Sequence, residues 1–427
     1  MSQPLSRFDS PGEQASPWIV AQLGAREHYA IPRALGGAGR PVELVTDFWA
    51  PRSAPRWIPS RLRDRTHADI PREAVTAFSS SFLRFEAVSR LRGLRGWPLI
   101  EARNAWFDER TAAHLAEVCG TRPTGTLFAY SYAARRTIAV ARRAGWKTIL
   151  GQIDPGPFEW RLVQDRRARA GLPPEPEPSP AYWDRWREEC ALADSIVVNS
   201  EWSRRALAEE SIPADRIHVV PLAYEGTVGA EERGGEDRLH DPVEFTSNRL
   251  LRVLFLGQIL VRKGVLEICD AMDRLAGQPV LWTFVGGGEH RLLECLERFP
   301  QARVLGHIGR RDAGKQYRDA DIFLLPTHSD GFALTQLEAA VYGLPIIASK
   351  CCGEVVRHGI NGLLLDHVTG EAVAEAVLSI LRRPQQLAAF REGQRQQPLP
   401  TLSKLAARFC DIQQQIRAQD KETHAVR

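Results

Sequence analysis

The fold is decided by residues 320–365, which read ADIFLLPTHSDGFALTQLEAAVYGLPIIASKCCGEVVRHGINGLLL. The stretch begins with an apolar run at 322–325, which is short enough to be a fully buried strand. A helical pattern follows over about 334–342, and Gly343 suits the C-terminal cap of that helix. A second buried strand is predicted at 346–348. The order strand, loop, helix, strand is typical of a doubly wound parallel sheet.

Two acidic residues flank the join between this loop and its helix. Asp330 lies in the loop, and Glu338 lies one turn into the helix, with seven residues between them. The free backbone N–H groups at the start of a helix carry partial positive charge and bind phosphate well. A carboxylate on each side of such a site suits a ligand with both hydroxyls and phosphates, such as a nucleotide sugar. The alternative is a doubly wound domain with an ordinary loop between strand and helix.

Composition limits the class of protein. With 427 residues, two domains are expected, and a net charge of +4 is too balanced for nucleic acid to be the main partner. The seven cysteines form no CxxC pair, which favours a reduced, cytoplasmic chain with buried thiols. No apolar run reaches the ~20 residues of a membrane span. The arginine pairs at 135–136, 142–143 and 204–205 have two alternative interpretations. They would either contact anionic lipid at a membrane surface or form an ordinary solvated basic face.

The central stretch resembles the retaining, group 1 glycosyltransferases of the two-Rossmann-domain (GT-B) type. Their acid-x7-Glu motif begins here with Asp330, where the family usually has Glu, and ends with Glu338. Gly353 and Glu354 are adjacent, whereas the family separates this Gly and Glu by two residues. The remaining matches are Gly331, Phe332, Ala333, Gly343, Pro345, Asn361 and Gly362.

A second motif of the same family has two cations that neutralise the diphosphate leaving group. The family pattern is Gly-Arg-x4-Lys-Gly, and the chain has Gly257, Gln258, Lys263 and Gly264 at these positions. Gln258 therefore removes one positive charge. The neighbouring Arg262 would supply the missing positive charge if its side chain turned towards the leaving group.

Further positions are carried over from the resemblance. Gly286 ends a strand beside the nucleotide, and His307 and Ile308 fall where the base is held. Gly24 belongs to the loop after the first strand, which lines the cleft between domains in this family. The family's His-Asp pair near the donor sugar is represented only by Asp154, with Gln152 two places earlier. The first strand is not followed by GxGxxG, which disfavours a nicotinamide dehydrogenase.

The chain is expected to form two Rossmann-like, doubly wound parallel-sheet domains that face a cleft. The predicted acceptor domain covers 17–225 after a disordered leader at 1–16, and the donor domain covers 250–388. A linker or insertion is predicted at 226–249. The segment 389–427 is expected to include a helix that crosses back to the first domain.

The resemblance implies a metal-independent, hexosyltransferase-type enzyme without a cofactor, which uses a nucleotide-sugar co-substrate and a glycan, lipid or small-molecule acceptor. Lys263 and the helix N-terminus at Leu334 would stabilise the diphosphate, and Glu338 would bind the donor ribose. Asp330 and the backbone of 331–333 would hold the donor sugar. The alternatives are a sugar-nucleotide-binding protein with weak or no catalysis, and a phosphorylase or an epimerase on the same fold.

Overall fold

Every strand pairing in the two sheets of the structure is parallel. The structure, a computed structural model, describes residues 16–51, 59–223 and 244–425. Residues 1–15 of the predicted leader and 226–243 of the predicted linker lie outside this part of the chain. Two parallel sheets with helical connections confirm the predicted doubly wound α/β fold class.

The first sheet has seven strands. They are β1 (Trp18–Gln22), β2 (Val42–Thr46), β3 (Val75–Ala77), β4 (Thr126–Tyr130), β5 (Lys147–Gly151), β6 (Ser195–Val198) and β7 (Ile217–Val219). Their order across the sheet is β3-β2-β1-β4-β5-β6-β7. The order reverses next to β1, as in Rossmann folds.

The second sheet has six strands and repeats this arrangement. They are β8 (Leu251–Leu256), β9 (Val280–Val285), β10 (Ala302–Val304), β11 (Ile322–Leu325), β12 (Ile346–Ser349) and β13 (Gly362–Leu365). Their order is β10-β9-β8-β11-β12-β13. All four residues of β11 are buried, as the apolar run in the sequence predicts.

The strands are joined mainly by helices. Those of the first half are α1 (Ala30–Gly37), α2 (Ser60–Arg63), α3 (Ser79–Leu91), α4 (Gly96–Cys119), α5 (Arg135–Arg143), α6 (Pro157–Arg169), α7 (Pro180–Leu192) and α8 (Glu201–Glu209). Those of the second half are α9 (Val265–Arg274), α10 (His290–Glu297), α11 (Arg310–Asp319), α12 (Leu334–Val341), α13 (Gly370–Arg382), α14 (Gln386–Gln396) and α15 (Leu402–Ala425). Short 3-10 turns cover Arg26–Tyr29, Arg72–Ala74, Ala214–Arg216 and Val261–Lys263.

The chain divides into two units. The described residues of 1–151, 185–195 and 406–427 form the first unit, and those of 152–184 and 196–405 form the second. The domain boundaries drawn from the sequence stay a prediction. All seven cysteines are free thiols, and four of them are buried. Within the described ranges, no helix is long and apolar enough to cross a membrane.

The last helix contributes to the core of the first unit. Its Phe409 ring packs edge-on against Trp18 and Phe128, with ring centroids 6.2 and 5.4 Å apart. One turn further on, the amide of Gln413 donates a 2.6 Å hydrogen bond to the hydroxyl of Thr126. Phe409, Ile412 and Ile416 are buried, and their spacing of three and four residues places them on one face of the helix.

Two buried carboxylates hold the N-terminus of α5 in the first unit. Glu189 accepts hydrogen bonds from the backbone N–H groups of Tyr132, Ala134 and Arg135, at 2.6, 2.8 and 3.1 Å. Asp108 accepts from the next two N–H groups, both at 2.9 Å. The first N–H groups of a helix have no partner within the helix, so these acids satisfy them.

We expect Glu189→Gln to lower the free energy of unfolding by about 1–3 kcal/mol, because its amide would place a donor against backbone donors. Urea denaturation measures the loss. Glu188→Gln is the matched control, since Glu188 is exposed and forms a 2.6 Å surface ion pair with Arg135. Such a pair contributes less than about 1 kcal/mol. Equal losses in the two variants would contradict the role given to Glu189.

Candidate functional site

The loops after β8 and β11 lie side by side at the carboxyl edge of the second sheet. The two strands pair directly, and they are the neighbours between which the strand order reverses. In doubly wound folds, ligands bind outside the carboxyl ends of the strands at this reversal. The loops that carry Lys263 and Asp330 therefore meet where a ligand is expected.

Gly264 allows these two loops to approach each other. Its φ of +74° is left-handed, and a Cβ at this position would lie 1.9 Å from the carbonyl oxygen of Pro326. The carbonyl oxygen of Arg262 accepts hydrogen bonds from the backbone N–H of His328 at 2.7 Å and from the hydroxyl of Thr327 at 2.9 Å. The backbone before α9 is thereby fixed to the loop after β11.

Lys263 and Asp330 form a buried ion pair across the two loops. The ammonium group of Lys263 is hydrogen-bonded to Oδ2 of Asp330, and only 11% and 14% of the two side chains are exposed. Burial raises the pKa of Asp330, but the charges of Lys263 and Arg262 outweigh it and hold the pKa below its ordinary value. Asp330 is thus an ionised partner of Lys263.

Arg262 points into the same group of charges. Its guanidinium donates a 3.1 Å hydrogen bond to the carbonyl oxygen of Ser329, and its Nε lies 4.0 Å from Oε1 of Glu159. The Ser329 hydroxyl donates to Oε2 of Glu159 at 2.5 Å and accepts from the indole N–H of Trp202 at 3.1 Å. We call Arg262, Lys263, Asp330, Glu159 and Ser329 the charge cluster.

Glu159 has an unusual protonation equilibrium within the charge cluster. Burial raises its pKa, the charge of Arg262 lowers it, and the negative charges of Asp154 and Asp330 raise it again. The result is a pKa of about 7. At neutral pH, both the neutral and the ionised forms of Glu159 are therefore populated.

The loop from Asp330 to α12 is shaped by a buried phenyl ring. Phe332 is buried, and a Cβ on Gly353 would lie 2.3 Å from this ring, so only glycine fits beside it. The carbonyl oxygen of Phe332 accepts a 2.5 Å hydrogen bond from the side-chain amide of Gln336. Ala333 has a φ of +64°, and no side chain caps the N-terminus of α12. These contacts fix the loop just before the start of α12.

Glu354, which follows Gly353, has a contact of its own. Its carboxylate accepts a 2.9 Å hydrogen bond from the backbone N–H of Glu201 at the start of α8. Burial raises the pKa of Glu354. The adjacent Gly353 and Glu354 thus contact two different segments of the second unit, the loop at Phe332 and the start of α8.

Glu338 is oriented by an aromatic side chain from α11. The hydroxyl of Tyr317 donates a 2.7 Å hydrogen bond to Oε2 of Glu338. The ring of Tyr317 stacks on Tyr342, with centroids 5.2 Å apart and an interplanar angle of 11°. Glu338 is half-buried, so it is held in place while still reaching the surface of the second unit.

The loops after β8 and β9 contact each other through their backbones. A Cβ on Gly286 would lie 1.9 Å from the carbonyl oxygen of Gly257, and one on Gly288 would lie 2.0 Å from that of Ile259. The backbone N–H of Ile259 donates to the carbonyl oxygen of Gly287 at 2.9 Å. The GGG run is therefore a requirement of loop packing, whichever ligand binds there.

The remaining donor-side residues of the sequence analysis lie around these loops. Gln258 and His307 are exposed, whereas Ile308 and Leu334 pack against the core that contains Phe332. A Cβ on Gly287 would lie 2.5 Å from Nε2 of His307, so the ring rests directly on the GGG backbone. The exposed amide of Gln258 contrasts with Arg262, which belongs to the charge cluster.

Gln152 and Asp154 belong to the second unit. Gln152 is buried, and Oδ1 of Asp154 accepts a 2.9 Å hydrogen bond from the backbone N–H of Gly156 in the turn before α6. The segment passes close to Gly331, where a Cβ would lie 3.5 Å from the carbonyl oxygen of Ile153. This segment therefore leads from β5 past the Asp330 loop and places Glu159 on α6.

Gly24 belongs to the first unit. Its φ is +76°, and its backbone N–H donates a 2.9 Å hydrogen bond to Oδ1 of the buried Asp47. Asp47 in turn pairs with Arg65 at 2.5 Å. The loop after β1 is thus fixed by an ion pair within its own unit.

Sequence reasoning missed Glu159, Ser329 and Trp202. Glu159 lies two residues after Pro157 in the first turn of α6, and Ser329 directly precedes Asp330. A serine beside a motif acid is a weak signal, and the sequence around Glu159 contains no spacing that relates it to Arg262. Only the packing of α6 on the second sheet's loops reveals this contact.

Comparison with known proteins gives a family for part of the chain. Residues 251–383 match a family model described as "Glycosyl transferases group 1". The D-inositol 3-phosphate glycosyltransferase of Xylanimonas cellulosilytica is 27% identical over 254 residues, 54% of this chain and 59% of that protein. An uncharacterized 41.2 kDa protein in the cps region of Klebsiella pneumoniae is 22% identical over 188 residues, 43% of this chain and 50% of that protein. The chain spans about half the length of these curated relatives.

Solved structures extend the likeness over most of the chain. Sucrose-phosphate synthase from Thermosynechococcus elongatus has a TM-score of 0.62 at 18% identity, covering 95% of this chain and all of that chain. The Anabaena protein HepE in complex with UDP-glucose has a TM-score of 0.57 at 13% identity, with 95% of this chain and 100% of that chain covered. At such identities the likeness shows the fold, and it confirms the predicted GT-B architecture.

Proposed function

We propose that the chain is a group 1 glycosyltransferase of the GT-B fold, which moves a sugar from a nucleotide diphosphate to an acceptor with retention of configuration. The observation that carries this proposal is the position of Lys263 and Arg262 beside Asp330, in the loop that leads into α12. A buried lysine and a partly buried arginine next to a helix N-terminus suit a diphosphate.

Lys263 and Arg262 stabilise the departing diphosphate in this proposal. The bond from the sugar's anomeric carbon to the diphosphate oxygen breaks, and a bond from that carbon to the acceptor oxygen forms. The acceptor's proton passes to the leaving phosphate. Positive groups aimed at the developing charge are the largest contribution expected from the protein in such a step. This mechanism requires no metal ion.

Asp330 exchanges partners when the donor binds. The donor phosphates replace Asp330 at Lys263, and the released carboxylate accepts hydrogen bonds from sugar hydroxyls, together with the backbone of 331–333. Glu338, held by Tyr317, accepts hydrogen bonds from the ribose hydroxyls. Uridine is the first base to test, since structural neighbours are described as complexes with UDP, UDP-glucose and UDP-2-fluoro glucose.

A second candidate function is sugar-nucleotide binding without transfer. The exposed, neutral Gln258 favours it, since a cation expected at the leaving group is absent from that position. Donor binding with no sugar transferred to glycan, lipid or small-molecule acceptors would support this candidate over the enzyme.

We expect Glu338→Ala to raise the dissociation constant of the donor by about 10- to 100-fold, because hydrogen bonds to a charged group are lost. Calorimetric titration of UDP-, GDP- and ADP-glucose measures this change. Tyr317→Phe should have a smaller effect, since it removes only the orienting hydroxyl. Glu375→Ala, at an exposed position of α13, is the matched control and should bind as the wild type does. If none of the three donors binds to the wild type, the proposed function is wrong.

A further inference from the structure

Glu159 is a mostly buried carboxylate, with 14% of its side chain exposed, that the proposed sugar transfer does not use. It lies in the first turn of α6, where the Ser329 hydroxyl donates to one of its oxygens at 2.5 Å. Its other oxygen lies 4.0 Å from Nε of Arg262. The indole N–H of Trp202 completes the hydrogen bonds of Ser329. A carboxylate in this position competes with any other anion for Arg262.

The charges that act on Glu159 come from each element around it. Arg262 approaches from the 3-10 turn before α9, Asp330 from the loop after β11, and Asp154 from the turn before α6. Lys263 is already paired with Asp330. Among the described residues, Arg262 is the cation with the largest effect on the pKa of Glu159, and the carboxylates of Asp154 and Asp330 oppose it, so the negative charge of Glu159 depends on Arg262.

We propose that binding of a nucleotide diphosphate sugar is coupled to the uptake of one proton by Glu159, which releases Arg262 to the donor phosphates. This inference rests on the proposed function. The proton comes from solvent, binds to the Glu159 carboxylate, and returns to solvent when the nucleotide leaves. No other bond changes in this step.

Two effects of the donor favour the neutral form of Glu159. The diphosphate brings negative charge close to the carboxylate, and it draws away Arg262, the cation that lowers the pKa of Glu159. The pKa of about 7 before binding means that a modest further rise changes the charge of Glu159 near neutral pH. The diphosphate diester of a nucleotide sugar remains ionised throughout this range, so the proton is taken up by the protein.

The sign of the pH dependence follows from linkage. A ligand whose binding adds a proton to the protein binds more weakly as the pH rises from the free pKa towards the bound pKa, by up to about tenfold per pH unit. With a free pKa of about 7 for Glu159, donor affinity should be nearly constant below that pH. It should fall roughly tenfold or more between pH 7 and 8.5.

The test uses Glu159→Gln, which keeps the shape of the side chain and stays neutral. Donor titrations by calorimetry at pH 6, 7, 8 and 8.5, with UDP-, GDP- and ADP-glucose as probes, should give a flat profile for the variant. At pH 8.5 it should bind the donor about tenfold more tightly than the wild type. A glutamate with only a structural role would instead give a variant that binds more weakly at every pH.

Proton uptake is measured independently by repeating the titrations at pH 8 in buffers of different ionisation enthalpy. The wild type should take up nearly one proton per donor, and Glu159→Gln almost none. Glu175→Gln is the matched control, because Glu175 also acts on Arg262 but lies 3.5 Å from Arg167. It should keep the profile of the wild type, and a flat profile in this control would place the proton on Glu175 and overturn the inference.

The two proposals fail in different ways. If none of the three donors binds at any pH, the proposed function is wrong, and this inference is wrong with it. If a donor binds with pH-independent affinity, or if Glu159→Gln retains the pH dependence of the wild type, only the inference about Glu159 is overturned.

Discussion

Replacement of Lys263 with alanine is expected to lower kcat by about 100- to 1,000-fold, the loss typical of removing one preorganised group that stabilises transition-state charge. The ammonium group is buried beside the loop that leads into α12, so water cannot easily substitute for it. The measurement is steady-state transfer from the donor that binds. Lys350→Ala is the matched control, since Lys350 is an exposed lysine with a 2.6 Å surface ion pair to Asp366. Its kcat should stay within about twofold of the wild type.

The same substitution is expected to destabilise the protein by about 3 kcal/mol, because it leaves Asp330 buried without its main partner. The double variant Lys263→Ala with Asp330→Asn separates the two effects. It removes the unpaired charge, so stability in urea should largely return, whereas kcat should stay low. Wild-type kcat in Lys263→Ala would contradict the role of this lysine. Unrestored stability in the double variant would contradict the ion pair as the cause of the loss.

Gly264→Ala is expected to cost about 3 kcal/mol or more in the free energy of unfolding. The left-handed backbone alone costs roughly 1 kcal/mol for alanine. The new methyl group would also lie 1.9 Å from the carbonyl oxygen of Pro326, and the forced movement adds about 1–3 kcal/mol. Because Gly264 directly follows Lys263, this movement should also reduce donor binding. Urea denaturation and calorimetry measure the two effects.

Gly277→Ala is the control for backbone conformation alone. Gly277 has a φ of +79°, close to that of Gly264, but no atom lies within 4 Å of a Cβ placed there. Gly277→Ala should lower the free energy of unfolding by about 1 kcal/mol. The difference between the two losses in unfolding free energy therefore measures the effect of the close approach of the loops at Gly264. Equal costs would show that the Pro326 carbonyl moves aside without penalty.

The sequence predicted the part of the site that is local along the chain. The apolar run of β11, the loop that contains Asp330 and the periodicity of α12 all depend on neighbouring residues, so patterns reveal them. The segment 50–125 could not be assigned, and the structure places β3, α3 and α4 in its described part. Helix α3 has few buried residues and α4 has mixed periodicity, so neither carries a clear amphipathic pattern.

The charge cluster could not be predicted for a different reason. Glu159 and Arg262 are more than a hundred residues apart, and their approach depends on how α6 packs against the loops of the second sheet. The family motif directs attention to Gln258, where a cation is missing. Motif position does not show which way a side chain points. Gln258 is exposed, whereas the guanidinium of Arg262 belongs to the charge cluster.

The ion pair between Lys263 and Asp330 has a consequence for selectivity. An anion can reach the ammonium group only by displacing a carboxylate that is already in place. Inorganic phosphate would displace Asp330 and offer it no sugar hydroxyl group as a new partner. A nucleotide sugar also brings sugar hydroxyl groups, and the displaced carboxylate can accept hydrogen bonds from them. Under the proposed function, Asp330 therefore disfavours the binding of inorganic phosphate relative to that of a nucleotide sugar.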